Sequence, residues 1–300
     1  MKSPQVSICI PAYNQVSYLR KTLESVKIQA FTDYEIIITD DSSDGSVKEL
    51  VAEFDFGNKL KYVKNSKNLG SPENWNEAVR HASGEYIKML HHDDWFTFPY
   101  SLGEYVKLLD MHPESDFAFS ATSVQHSNGS NSISCPSLEI LNQIKKNPGV
   151  LFFGNLVGGP SATIYRRKVN LQYDQKIKYV VDIDFYIRII SLNHSFQFTE
   201  QLLICTTNGA AHQVTAEFSN KETELFEYVY LYNKINRGAQ PSREQIDFFE
   251  GLFNKFNIRS LNDFKLPESE LPKPIPFFRN ILFKRRMALF FAGMKNSVKI

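Results

Sequence analysis

Asp93 and Asp94 are adjacent carboxylates that close an apolar run. The run, Tyr86-Ile87-Lys88-Met89-Leu90, reads as a buried strand leading into His91-His92-Asp93-Asp94-Trp95. An earlier run, Glu35-Ile36-Ile37-Ile38-Thr39, ends the same way in Asp40-Asp41. The first run, Val6-Ser7-Ile8-Cys9-Ile10, ends in Pro11-Ala12-Tyr13-Asn14. Open parallel sheets bind ligands beyond the carboxyl ends of their strands, so these polar strand ends can meet at one cleft. Paired carboxylates at a strand exit suit a hard divalent cation, and a hard cation suits a diphosphate. Taken alone, each pair is better read as a helix cap or a turn, since Asp-Ser-Ser-Asp-Gly is good turn chemistry; it is their combination that points to a site.

The elements that must position these residues alternate between strand and helix. Leu19, Leu23, Val26 and Ala30 repeat at helical spacing after the first strand. Ser46-Val47-Lys48-Glu49 has the form of a capping box opening a second helix. A short strand, Leu60 to Lys64, follows. Ser71-Pro72-Glu73 reads as a cap, a proline at the first helical position and a dipole-matched acid, opening a helix to about Ala82. This alternation predicts an α/β fold with a mainly parallel sheet covered by helices on both faces. From about Asp116 the pattern changes. Phe117 to Val124 reads as a strand, Ser127 to Ser134 as a polar loop, and Gly158-Gly159-Pro160-Ser161 as a turn before a strand over Ala162 to Tyr165. Asp182 to Ile190 reads as a helix and Phe196 to Thr206 as one or two edge strands. Beyond Phe218 the chain reads as helices, with capping-box patterns at Ser219–Glu222 and Ser242–Gln245.

A chain of 300 residues builds one large domain or two small ones. Its hydrophobic and charged fractions are those of an ordinary globular protein, and a net charge of +1 points away from nucleic acid as a partner. No charged-then-apolar leader and no bilayer-spanning run is present. Cys9, Cys135 and Cys205 are scattered, with no disulfide or zinc spacing, which fits a cytoplasmic location. The last segment, 277–300, follows a Pro-rich linker and interleaves Arg279, Lys284, Arg285, Arg286, Lys295 and Lys299 with Phe and Leu. Such a helix suits the inner face of a membrane, or else packs its aromatics on the domain or on a second subunit as a homodimer.

Several motifs, in order, resemble the GT-A fold glycosyltransferases of family 2, over roughly residues 5 to 215. Val6 to Asn14 looks like the opening strand and nucleotide-contacting loop, and Tyr34 to Gly45 like the second strand with its base- and ribose-contacting acid. Asn68-Leu69-Gly70 with Asn76 resembles the family's helix entry, and Gly84 to Asp94 its metal strand. The resemblance implies a Rossmann-like GT-A domain over 1–217, with a nucleotide half (1–115) and an acceptor half (116–217). A helical extension (218–266) and the basic C-terminal part (267–300) follow. Two departures stand out. His91 or His92 occupies a place where the family often has an acid, and Val181 stands where many members carry Glu before the catalytic Asp.

The resemblance assigns roles residue by residue. Pro11, Ala12, Tyr13, Asn14, Asp41, Asn68, Asn76 and Asp93 would contact the nucleotide, with Asp40 structural. Asp94 and His212 would hold a divalent metal, Mn2+ or Mg2+. Asp182 would take the proton from the attacking hydroxyl; its bland alternative is an N-cap. Gly159, Pro160, Ser161 and Trp95 would border the acceptor. Asp184 pairs with Arg188 four residues on. The activity implied is inverting transfer of a sugar from a nucleotide sugar, UDP being favoured, to a glycan or lipid-linked acceptor in surface polysaccharide synthesis. A non-catalytic sugar-nucleotide-binding module and a sugar nucleotidyltransferase are the alternatives; the second usually needs a Gly-rich basic loop that Pro11-Ala12-Tyr13-Asn14 lacks.

Overall fold

The computed structural model describes residues 3–209, 217–236, 239–264, 278–284 and 287. It divides into two units, Met1–Ala216 and Glu217–Ile300. In the first, continuous apolar runs become strands buried on both faces: β1 (Val6–Ala12), β2 (Tyr34–Asp40) and β4 (Tyr86–Met89). With the edge strand β3 (Leu60–Lys64) they form a parallel array in the order β3-β2-β1-β4. The chain steps outward from β1 through β2 to β3, then returns to the other side of β1. The carboxyl ends of β1 and β4 therefore flank the point where strand order reverses, the usual ligand crevice of an open α/β sheet.

Helices α1 (Val16–Lys27), α2 (Ser46–Ala52) and α3 (Glu73–Arg80) make the crossovers. The stripe Leu19, Leu23 and Val26 is buried as its spacing predicts, whereas Ala30 lies past the helix end and donates its N–H to the Pro99 carbonyl at 2.8 Å. The expected capping box at Ser46 does not form. Gly45 is the N-cap, and Ser46 instead donates its N–H (3.1 Å) and O–H (2.7 Å) to the Asp44 carboxylate. A carboxylate two residues upstream is the stronger acceptor. Likewise, α3 begins at Glu73 with Pro72 at the N-cap and no side-chain cap. Gly84, just before β4, lies hard against β1: a Cβ there would sit 2.6 Å from the Ser7 nitrogen.

Beyond β4 the sheet becomes mixed. The strand β8 (Thr163–Arg166) runs antiparallel to β4 and to β6 (Phe117–His126), which pairs in parallel with β9 (Gln197–Asn208). The two-residue β5 (Trp95–Phe96) closes the edge against β9. The long ladders are parallel, so the sheet is mainly parallel, flanked by helices. Three expectations are corrected. Part of the polar loop 127–134 is a strand, β7 (Asn131–Ser134), paired to β6. All of its residues are exposed, so no alternation marks it. The 196–206 region is one inner strand, not an edge, because Trp95 and Phe96 cover it. Helices α4 (Ser101–Asp110) and α5 (Leu138–Lys146) have no counterpart in the sequence reading. Helix α6 (Val181–Ile190) falls where it is expected, and Arg188 bonds Asp184 at 2.8 Å.

In the second unit, α7 (Lys221–Asn236) and α8 (Arg243–Lys255) carry the helical extension. Ser242 and Gln245 form the capping box in both directions, at 3.2 and 3.0 Å. Ser219 does not cap; Asn220 accepts the Thr223 N–H at 3.0 Å instead. Lys255 pairs with buried Glu224 at 2.7 Å. Phe249, Phe253, Phe264 and Phe278 form one aromatic cluster. In the helical segment 278–284, Phe278, Ile281 and Leu282 are buried while Arg279, Phe283 and Lys284 are exposed. That stretch of the basic segment packs on protein; most of the remainder lies outside the described residues. Among the described residues no helix is long and apolar enough to cross a membrane.

Candidate functional site

The crevice is built from the strand exits upward. At the end of β1, the Pro11 carbonyl accepts from His92 Nδ1 at 3.1 Å, which places the proton on that nitrogen, because a carbonyl can only accept. The Ala12 carbonyl accepts the Asp41 N–H at 3.0 Å. With both backbones committed, Tyr13, 48% exposed, and Asn14 are the residues this loop presents. Asn14 has a left-handed φ of 53° and donates its N–H to Ser42 Oγ at 2.7 Å, tying the β1 loop to the β2 loop.

Asp40 is structural, as expected: it is buried and accepts from Tyr62 Oη (2.7 Å), Lys64 Nζ (3.0 Å) and the Ser42 N–H (2.8 Å). Asp41, placed at the nucleotide by resemblance, accepts from Asn65 Nδ2 (2.7 Å) and from the N–H groups of Leu69 (3.1 Å) and Gly70 (2.8 Å). Its carboxylate therefore shapes the 65–70 loop that carries exposed Asn68. Asn76 is given a different task from the one the resemblance assigns. Its buried amide clamps the Tyr173 backbone, accepting the N–H at 2.8 Å and donating to the carbonyl at 2.9 Å.

At the exit of β4, donor atoms of His91, Asp93 and Asp94 lie within 4.8 Å of one another. The Asp94 carboxylate accepts the Thr207 N–H at 3.2 Å, and Asp93 accepts from Thr207 Oγ1 at 3.1 Å. Burial, and then the neighbouring Asp93 charge, push the Asp94 carboxyl well above the usual carboxylate range. Burial holds the His91 imidazole down to about 4, so at neutral pH it is an uncharged nitrogen donor. Among the described residues its buried Nε2 has no hydrogen-bond partner, and the ring rests on Trp75 at 4.5 Å. A buried ring nitrogen beside two crowded carboxylates fits a divalent cation. His212, the other metal candidate, lies outside the described residues.

Beneath this cluster is Lys88, which sequence reasoning passed over although a lysine inside an apolar strand is a signal. It is 0% exposed, and its ammonium donates to the carbonyls of Ser161, Thr163 (3.1 Å) and Met89 (3.4 Å). Burial lowers its pKa well below the lysine range, against the opposing pull of Asp94. Ser161, expected on the acceptor side, is fully buried and turns its hydroxyl to the His91–Asp94 segment, accepting the His91 N–H at 2.9 Å. Pro160 is buried as well, which leaves Gly158 and Gly159 as the open part of that turn. Thr207 had no signal in the sequence; it arrives from β9, more than a hundred residues away.

Asp182 lies in the first turn of α6, not at its N-cap, which is Val180. Its carboxylate accepts from Asn155 Nδ2 at 2.5 Å, next to the Gly158 turn. Trp95 lies in β5 with the Lys21 ammonium 3.3 Å from its ring centre, so one face is already covered.

Strand order and strand-exit carboxylates together are those of a GT-A fold. The fold matches TarS of S. aureus in complex with UDP-GlcNAc with a TM-score of 0.62 at 19% identity, covering 93% of this chain and 79% of that one. It also matches the mannosyltransferase PcManGT of Pyrobaculum calidifontis in complex with GDP-Man and Mn2+, with a TM-score of 0.57 at 15% identity over 99% and 81% of the two chains. The model of glycosyl transferase family 2 matches residues 7–173, and the chain belongs to that family. An uncharacterized glycosyltransferase of Methanocaldococcus jannaschii is 30% identical over 209 residues, 68% of this chain and 71% of that protein. The chain is thus an enzyme of sugar transfer, and the expected family and fold are borne out.

Proposed function

We propose that the protein is an inverting, metal-dependent transferase that moves a sugar from a nucleoside diphosphate sugar, UDP being favoured, to a hydroxyl of a glycan or lipid-linked acceptor in surface polysaccharide synthesis. One observation carries the reading: the His91, Asp93 and Asp94 donor atoms gather at the β1/β4 reversal point, where His92 bonds the Pro11 carbonyl at the start of the Tyr13 loop. A Mn2+ or Mg2+ ion held there by Asp94, Asp93 and His91 would act as a Lewis acid on the departing diphosphate. The protein's own groups do the rest. Tyr13, Asn14 and Asn68 bound the nucleotide pocket, and Asp41 holds the Asn68 loop in shape. Asp182 accepts the proton of the acceptor hydroxyl as that oxygen attacks the anomeric carbon from the face opposite the diphosphate. The open Gly158-Gly159 turn lets the acceptor come close to it.

The basic segment 277–300 is assigned to peripheral attachment at an anionic leaflet, through the residues beyond Leu282. Equal binding of the full chain and a chain ending near Leu271 to anionic vesicles would remove this part.

Calorimetric titration with UDP, GDP, dTDP and CDP, each with and without Mn2+, tests the core of the reading. Metal-dependent binding of one nucleotide, abolished in Asp94→Ala, is the expected result. Binding of no nucleotide under any condition would leave the strand-end carboxylates a structural role only.

A further inference from the structure

We propose that Asn155 is the positioning residue of the candidate base, its side-chain amide locking the Asp182 carboxylate to the Gly158 turn. The proposal rests on the reading of Asp182 as the proton acceptor. Asn155 Oδ1 accepts the N–H groups of Val157 (3.1 Å) and Gly158 (2.9 Å). Its Nδ2 donates to the Gly158 carbonyl at 2.9 Å and to Asp182 Oδ2 at 2.5 Å. An amide has two donor hydrogens and two acceptor lone pairs, so all of its hydrogen-bonding capacity is in use. Its orientation follows from those partners: only Oδ1 can meet two backbone N–H groups, so the NH2 must face the carboxylate.

A turn of this kind needs only the Oδ1 bonds. The bond from Nδ2 to a carboxylate on α6, 27 residues ahead, is additional. On its other oxygen Asp182 accepts the Ile183 N–H at 2.9 Å. Tyr186 Oη donates to the same Gly158 carbonyl at 3.0 Å, bracing the turn from within α6. Gly158 adopts a φ of +106°, a conformation that L side chains rarely take, and this brings its carbonyl back to Asn155. The same short segment ends at Ser161, on the cation cluster. Residues 155–161 therefore set the proton-accepting side and the cation side by one rigid turn. A carboxylate bonded at both oxygens is restricted in how it can rotate, which is what a base aligned with an attacking hydroxyl requires.

Asn155→Asp separates positioning from turn structure. The substitution keeps acceptors for the Val157 and Gly158 N–H groups but sets a second carboxylate against Asp182. Asn155→Ala removes both functions. With donor and acceptor sugars in steady-state transfer assays, Asn155→Asp should lower kcat about 10- to 100-fold and leave the donor KM and calorimetric nucleotide binding unchanged. In an Asp182→Asn background, adding Asn155→Asp, which keeps the turn acceptors, should change kcat by less than about 2-fold, because the effect runs through the Asp182 carboxylate. A slow Asp182→Asn enzyme beside an Asn155→Asp enzyme of wild-type rate would overturn the role of Asn155 alone. An equal loss from Asn155→Asp with and without the Asp182 carboxylate would do the same. Wild-type transfer by Asp182→Asn would overturn the base reading, and this proposal with it.

Discussion

Ser161 Oγ accepts the backbone N–H of His91 at 2.9 Å, joining two residues 70 positions apart. The same serine offers its carbonyl to the Lys88 ammonium, so the β4 segment and the Pro160 turn are bound to each other at two points. The serine hydroxyl also supports the ionised form of Asp94. Groups that orient candidate ligands in this way ordinarily influence cation affinity nearly as much as the ligands do.

Ser161→Ala should therefore weaken Mn2+ binding about 10-fold while the protein stays folded. Mn2+ titration followed by paramagnetic resonance reads this without any sugar present. An unchanged affinity would mean that the hydroxyl serves the backbone only.

Lys88 predicts a pH dependence of stability. Its folded pKa lies well below the ordinary 10.5. Between the two values the unfolded chain binds the extra proton, so stability rises with pH across that window and the cost of burial is complete below it. Lys88→Met removes this group and should flatten the rise. It also leaves the Ser161 and Thr163 carbonyls without their donor, a penalty of about 1–3 kcal/mol that opposes the relief of burying a charge. Urea unfolding of both proteins from neutral to alkaline pH gives the comparison, and parallel curves would refute it.

Glu35 has the opposite sign. Burial pushes its carboxyl up, but bonds from Ser7 Oγ (2.6 Å) and from the N–H (2.7 Å) and Oγ (2.8 Å) of Ser83 outweigh this and leave it below the ordinary value. A depressed carboxylate contributes stability that is present above its unfolded pKa and is lost as pH falls through the folded value. Glu35→Gln should be less stable at neutral pH by about 1 kcal/mol and lose less on acidification. Thermal melts between about pH 3 and pH 6 would show the two proteins converging.

Gly84 lies too close to β1 for any side chain, since a Cβ would meet the Ser7 nitrogen at 2.6 Å and its Oγ at 2.8 Å. Both neighbours belong to a buried strand that cannot withdraw. Gly84→Ala should cost about 1–3 kcal/mol, seen as a lower urea midpoint. A midpoint equal to that of the wild type would show that the β4 entry can shift freely.

Much of the site's outline is legible in local sequence. Strand exits are written in apolar runs followed by Pro-Ala-Tyr-Asn, Asp-Asp and His-His-Asp-Asp, because buried parallel strands must be apolar throughout and change character where they leave the sheet. The Asp184–Arg188 pair and the Ser242 capping box follow from helical spacing alone, as interactions within one turn of chain do. The strand β7 and the helix α5 are nearly all surface, so no burial pattern announces them.

What only the tertiary structure decided is which polar groups meet. Thr207 reaches Asp93 and Asp94 from β9, Ser161 turns inward to His91 rather than outward to an acceptor, Asn76 clamps Tyr173, and Asn155 finds Asp182. Each is a contact across strands or turns far apart in sequence; in all but the exposed Asn155–Asp182 pair, a buried or half-buried polar group finds its partner where the packing brings one. Residue type and spacing determine which groups seek partners; strand order and the mixed seam at β8 determine which partners they find.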